Sequence, residues 1–363
     1  MLFKHIDRYV SRSFLVRFVA CVVLIAALYM SFDLMKRLED LQGNEAGRNA
    51  AMLLAYYAHL LPVFMLDVTP GIVLIAAGIV MVRMAKAREL LALKASGTSL
   101  YRVMGPLFAW ALVISVGLFA FREAAAPRLV RRTALLSRVL DQKVETQLLV
   151  SDPAYNRKVF IGEYDFAHNA MKNVAVMDFH PQGALKRNVR ADSATLAPDG
   201  LLSLQTVEVQ EFDAAAVPAG KPALLPSLEI KGGVRPVDLV QAAEQDKDEG
   251  LMLQALPELR RQSRLNPQVP FFRVSFHSRL ASFFSPIILL LVGLPCLVGF
   301  ERTVSSRFLG FIIAAATAAG LYALTFVFSS MGTTGALHPV LAGWLPAVIG
   351  AAVGLWLFES MLT

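Results

Sequence analysis

The sequence is poor in cysteine and in charge. Of its 363 residues two are cysteines, Cys21 and Cys296. Both lie inside apolar runs, where a thiol behaves as a small hydrophobe, and a disulfide framework is excluded. No C-x-x-C, H-E-x-x-H or other close metal-ligand spacing occurs among the cysteines and the six histidines. A G-x-x-x-x-G-K-[ST] loop for nucleotide phosphates is also missing. No cofactor is expected, and any ATP that drives this chain must be hydrolysed on another one. Charged residues make up 17%, against roughly 25% in soluble domains.

What fills the space is apolar: 56% of residues are hydrophobic and the mean hydropathy is +0.53, which argues for a membrane protein. The net charge of +7 could on its own suggest a nucleic-acid partner or an anionic membrane surface. Position decides between them. Residues 123–270 hold 18 basic and 19 acidic side chains, leaving 17 basic and 9 acidic in the apolar remainder. The basicity belongs to the membrane part, and no nucleic-acid partner is expected.

A membrane helix needs about 20 mostly apolar residues. Residues 308–358 lack Asp, Glu, Lys and Arg over 51 positions, about 77 Å as one helix, and therefore read as two spans. The turn between them falls at Ser329–Gly335, with Pro339 opening the second helix. Further spans are expected at 280–300, 103–121 and 18–32, the last short enough to rely on Arg17 and Asp33 reaching the headgroups. The chain after 18–32 continues SFDLMKR without a small-residue cleavage site, which favours a retained helix over a signal peptide. A sixth span at about 60–82 contains Asp67 and a Pro70 kink. Asp67 is either a functional intramembrane acid or a residue near the interface.

The segments holding Lys4, Arg8, Arg12 and Arg17, then Arg83, Lys86, Arg88, Lys94 and Arg102, then Arg302 and Arg307 carry 11 basic residues. The opposite short loops carry Lys36, Arg37 and Arg48. The positive-inside rule then puts both termini in the cytoplasm and 123–270 on the far side. Leu2, Phe3, Ile6, Val10 and Phe14 recur at helical spacing opposite Lys4, Arg8 and Arg12, as in an interfacial amphipathic helix; it reads as an anchor leading into the first span.

Within 123–270 the period shifts toward 2. Strands are expected at 158–166, 171–180, 188–196 and 202–212, separated by Pro181-Gln182-Gly183 and Pro198-Asp199-Gly200. This pattern implies an antiparallel sandwich or open barrel. Segment 213–227 reads as a Pro- and Ala-rich excursion, and 249–265 as a polar-faced helix interrupted at Pro257. No catalytic constellation is found; His168 and His180 read as solvated side chains beside turns.

The segment AKARELLALKASGTSLYRV, residues 85–103, combines Leu90, Leu91 and Leu93 with Arg88, Glu89 and Lys94, and stops at Ser96-Gly97-Thr98-Ser99. It describes a short amphipathic helix between two spans, either a solvated face or a contact that transmits movement from a cytoplasmic motor. Together with IDRYVSRSFLVRF at the start, SFDLMKRL after the first span, AAAPRLVRR after the third and FHSRLASFFSP before the fourth, this loop resembles the LptF/LptG (YjgP/YjgQ) permeases of the lipopolysaccharide export ABC transporter.

That resemblance implies a membrane α-helical fold of six transmembrane helices, 3+3, with an inserted extracytoplasmic antiparallel β-sandwich or jellyroll. Its parts would be 1–122, with a coupling helix at 84–98, then 123–270, then 271–363. It implies a transport subunit rather than an enzyme, in the bacterial inner membrane, working with an LptB-like ATPase dimer, a second LptF/LptG-type permease subunit and periplasmic LptC/LptA-like jellyroll proteins. Lipopolysaccharide would be the cargo. Glu89 would make the coupling contact, completed by Arg88, Leu90 and Leu91. Lys36 and Arg37 would face lipid phosphates, with Arg128, Arg131 and Arg132 as further basic candidates; Lys36 and Arg37 also fit a simple interfacial anchor. Small residues at Gly350-x-x-x-Gly354 and Ala314–Gly320 suit close helix packing. A membrane-tethered sensor or scaffold whose β domain binds a protein is the alternative from another class.

Overall fold

A computed structural model describes residues 2–42, 50–141, 144–152, 155–166, 168–180, 183–197, 201–213, 217–231, 239, 256–265, 268–299 and 307–360. The chain runs through helices α1 (Leu2–Gln42), α2 (Ala50–Lys86), α3 (Glu89–Ala95), α4 (Leu100–Ala124) and α5 (Ala126–Leu140). Strands β1 (Val144–Asp152), β2 (Arg157–Asp165), β3 (Ala170–Phe179), β4 (Leu185–Leu196), β5 (Leu201–Glu211) and β6 (Ala223–Lys231) follow. The chain closes with α6 (Leu256–Leu265), α7 (Pro270–Ala281), a 3₁₀ turn at Ser282–Phe284, α8 (Ser285–Gly299), α9 (Arg307–Thr333) and α10 (Pro339–Glu359). Among the described residues, six helical stretches are long and apolar enough to cross a membrane: His5–Arg37, Ala50–Lys86, Leu100–Ala124, Pro270–Leu297, Ala315–Thr333 and Pro339–Glu359. The protein is thus a multi-pass membrane protein with a β domain inserted between its third and fourth spans.

The chain divides into two compact units. One comprises Met1–Phe32, Leu61–Ala126 and Gln254–Thr363; the other comprises Asp33–Leu60 and Pro127–Leu253.

In the helical unit, the core is built where α2, α4 and α8 meet. Val73, Leu74, Ala77, Val80, Leu107, Ala111, Leu290 and Leu294 are all buried there. Glycine lets the helices approach closely: a Cβ on Gly78 would lie 2.8 Å from Leu297 Cδ1, and one on Gly354 would lie 2.8 Å from Leu291 Cβ. The expected interfacial anchor takes a different form. Residues 2–17 are continuous with the first span in α1, and Val10 and Phe14 are completely buried in the same core as Leu90, Leu100 and Val103. Val10 and Phe14, covered by protein, are not left for lipid. The span expected at 60–82 is also longer, since α2 starts at Ala50 and continues through both Pro62 and Pro70.

In the β unit, six antiparallel strands pair in sequential order, β1 to β6. The alternation read from the sequence is the alternation of burial: in β2, Val159 and Ile161 face inward between exposed Lys158 and Phe160. Inward residues from all six strands share one core with Ala134, Leu135 and Val139 of α5. At its centre Tyr164 is fully buried, and its hydroxyl donates to Asn169 Oδ1 at 2.9 Å. Burial, with Asp165 nearby, pushes that phenol up to about 12.

Four expected strands are present within a residue or three of their bounds. Two more were not expected. β1 breaks its alternation at Gln147, which has φ 57°. β6 contains Pro226, which the Pro- and Ala-rich reading of 213–227 treated as loop; as an edge strand it tolerates a missing N–H donor. The turn residues Pro181, Gln182 and Pro198–Gly200, the loop residues Arg48 and Arg302, and the 249–255 part of the expected helix lie outside the described residues.

Candidate functional site: a surface helix and a basic helix end

The short helix α3 is marked off on both sides by backbone geometry. Arg88 adopts a left-handed conformation, φ 56° and ψ 16°, which ends α2 and redirects the chain; a non-glycine residue there costs roughly 1–2 kcal/mol. At the other end Gly97, φ 80°, permits a closing motif in which Thr98 N–H donates to Leu93 O and Gly97 N–H donates to Lys94 O, both at 3.0 Å. The helix is therefore 89–95, shorter than the expected 84–98, because residues 84–86 complete α2.

Between these ends the four expected coupling residues divide by face. Leu90 is buried in the core of the helical unit, whereas Leu91 is 66% exposed and Arg88 is exposed. Glu89 is partly exposed, and both of its carboxylate oxygens accept from the Tyr9 hydroxyl, at 3.2 and 3.1 Å. Tyr9 was missed by the sequence reading. Its only signal was its place in the IDRY opening, because the partner lies 80 positions away. An acid beside an exposed leucine on a helix held from below is a surface suited to docking a protein with a complementary basic and apolar patch.

The basic residues assigned to lipid fall into two environments within the β unit. Lys36 is exposed on α1. Arg37, one position on, is enclosed: it pairs with Asp33 at 3.1 Å and with Asp141, donates to Tyr56 Oη at 2.7 Å and Ser137 Oγ at 3.3 Å, and lies over the Tyr56 ring. Tyr57 donates to Asp33 at 3.1 Å, and Ser137 donates to Asp141 at 3.0 Å. This network ties the end of α1 to the start of α2 and the end of α5. Of its acids, Asp33 was read only as reaching the headgroups at the end of the first span, and Asp141 carried no motif and was missed.

Arg128, Arg131 and Arg132 all lie on α5, a helix that the sequence reading did not delimit. Arg128 and Arg132 are exposed, one turn apart. They continue the stripe that Leu135 and Val139 present to the β core. Arg131 is partly buried, and its Nε has no hydrogen-bond partner among the described residues. Arg138, further along, pairs with Glu145 at 3.3 Å. The structure thus brings Arg128 and Arg132 together and separates Arg37 from Lys36 by environment. Among the described residues, no group of His, Cys, Asp or Glu is arranged to hold a metal ion.

No curated protein matches the chain. The family model for the lipopolysaccharide export system permease LptF/LptG matches residues 8–360. That span covers six apolar helices, the inserted β domain, the α3 helix and the basic helix ends, so the chain belongs to the LptF/LptG family of lipopolysaccharide export permeases.

Proposed function

We propose that this chain is one half of the permease of an ABC transporter that extracts lipopolysaccharide from the inner membrane. Family membership carries the export role. The observation supporting the motor contact is the α3 surface: Leu90 fixes the helix to the core of the spans, Tyr9 holds Glu89, and Leu91 and Arg88 stand exposed beside it. An LptB-like ATPase dimer docks there from the cytoplasm, where both termini also lie. Its closure moves α3, and with it the packed ends of α1, α2 and α4.

Lys36, Arg128 and Arg132 are the exposed cations of the basic set and meet lipid phosphate through charge-assisted hydrogen bonds. Arg131 supports them from a partly buried position. Arg37, with its charge offset by Asp33 and Asp141, joins this set through the one guanidinium N–H that its contacts with Asp33, Asp141, Tyr56 and Ser137 leave over. A second LptF/LptG-type subunit completes the cavity. The β domain hands lipid on to LptC/LptA-like jellyroll proteins.

The decisive experiment is Glu89→Lys, measured by copurification of the ATPase and by lipid export. Loss of both is expected; unchanged association with normal export would overturn the coupling role. For the basic set, the double variant Lys36→Ala with Arg37→Ala is expected to lower lipid copurification, and full lipid occupancy would count against it.

A further inference from the structure

A second polar cluster lies within the helical unit and takes no part in the docking helix or the basic set. Asp67 on α2 pairs with Arg122 on α4 at 2.5 Å; Arg122 also donates to Ser282 Oγ at 3.3 Å, and the Tyr322 hydroxyl on α9 donates to Asp67 O at 2.5 Å. All four residues belong to stretches apolar enough to span a membrane. They border a cavity of about 200 Å³ whose apolar walls include Leu66, Leu118, Phe119, Phe283, Leu289 and Leu321. Deeper on α4, Ser115 also lines the cavity; it is 1% exposed, and its hydroxyl has no hydrogen-bond partner among the described residues.

Four features select an occupant. The cavity is smaller than the roughly 300–1,000 Å³ of a site that encloses a whole small molecule, so it suits one end of a longer apolar chain. The ion pair is lopsided: the Asp67 side chain is 61% exposed and that of Arg122 24%. A carboxylate facing outward from a membrane span calls for a cation. Nearby, Arg279 interacts electrostatically with Arg122, Glu123 and Asp67, giving two cations and two anions with no net charge. Ser115 lies seven residues, about 10 Å, from Arg122 along α4, and its orphan hydroxyl can donate to an ester carbonyl.

We propose that this cavity binds a zwitterionic bilayer phospholipid: an acyl chain enters the apolar pocket, its ester carbonyl meets Ser115, its phosphate meets Arg122, and its ammonium meets the exposed face of Asp67. An anionic phospholipid lacks the ammonium and would set its phosphate beside Asp67 uncompensated. The site therefore selects by headgroup, and it selects against lipids whose only headgroup charge is negative.

The test is native mass spectrometry of the full-length protein in detergent with added phosphatidylethanolamine or phosphatidylglycerol at equal concentration. The wild type is expected to retain phosphatidylethanolamine about fivefold better, the scale of one partly exposed charge pair. Asp67→Asn, nearly isosteric, is expected to abolish that preference, and Ser115→Leu, which fills the cavity, to reduce retention of phosphatidylethanolamine. Equal retention of the two lipids by the wild type, a preference for phosphatidylglycerol, or an undiminished preference in Asp67→Asn would each overturn the proposal. Full retention in Ser115→Leu would overturn the assignment of the chain to this cavity.

Discussion

The two units of this protein are held together by different means. In the helical unit, apolar faces alone give little specificity in a lipid solvent, and the contacts that matter are close backbone approaches at small residues. Gly343 on α10 is the tightest of the buried cases against backbone: a Cβ there would lie 2.6 Å from His277 Cβ and 2.8 Å from Ser278 N on α7. The β unit has a watery exterior and an apolar interior, so alternation along each strand builds its core. Its buried charges are enclosed in small networks, Asp178 with Arg157 and Arg187, and Arg37 with Asp33 and Asp141. Close approach at small residues thus fixes the helical unit, and an alternating apolar core with small enclosed charge networks fixes the β unit.

Gly343→Val should break the first half of that comparison most severely. The added methyls meet backbone that cannot step aside, at a cost of about 3 kcal/mol, the upper end for overpacking. The expected outcome is loss of monodisperse protein on size-exclusion chromatography; a well-folded variant would show that α7 and α10 can separate cheaply.

Asp141→Ala tests the second half. It leaves Arg37 enclosed with one carboxylate instead of two, and the expected loss is about 2 kcal/mol, below the roughly 3–5 kcal/mol of a fully buried pair because a sixth of each side chain is still exposed. Thermal unfolding followed by the β-sheet signal checks it, and an unchanged midpoint would mean that Asp33 alone neutralises Arg37.

Acid sharpens the same point. Burial would raise the Asp178 carboxyl, but hydrogen bonds and charge from Arg157 and Arg187 outweigh it and hold the group below its ordinary value. A lowered folded-state value means that its stabilisation is complete above about pH 4, the unfolded value, and is lost as the pH falls through the lower folded one. The β unit of the wild type should therefore lose stability below about pH 4, and Asp178→Asn should show a shallower decline in the same titration.

The smallest expected effect is at α3, the helix proposed to meet the ATPase. Tyr9→Phe removes one partly exposed hydrogen bond to Glu89, about 0.5–1.5 kcal/mol, too little to unfold the unit. It should leave ATPase association measurable while reducing export per ATP hydrolysed, and a coupling ratio equal to the wild type would show that Glu89 positions itself.

Legibility followed range. The four strands with clean alternation were readable because a period-2 pattern is local, and β6 was hidden because Pro226 is unremarkable only at a sheet edge that the sequence does not mark. The end of α3 was readable at Ser96-Gly97 because a glycine stop is a local signal, whereas its start was not: the expected 84–98 ran into α2, since a left-handed arginine at 88 carries no mark in the sequence. Arg37 shows the limit: its neighbour Lys36 has the same charge and nearly the same context, yet one is exposed and the other enclosed. That difference depends on Asp141, 104 residues away.

Six apolar segments long enough to cross a membrane, an inserted β domain and kinship with the lipopolysaccharide export permeases were all legible along the chain. Those properties rest on apolar run length, strand period and contiguous motifs, all carried along the chain. That Glu89 is held by Tyr9, that Arg37 is locked between two acids, and that Asp67 meets Arg122 beside a cavity emerged with the packing. A charge's partner is set by which helices pack together, and that is fixed by shape complementarity between distant segments.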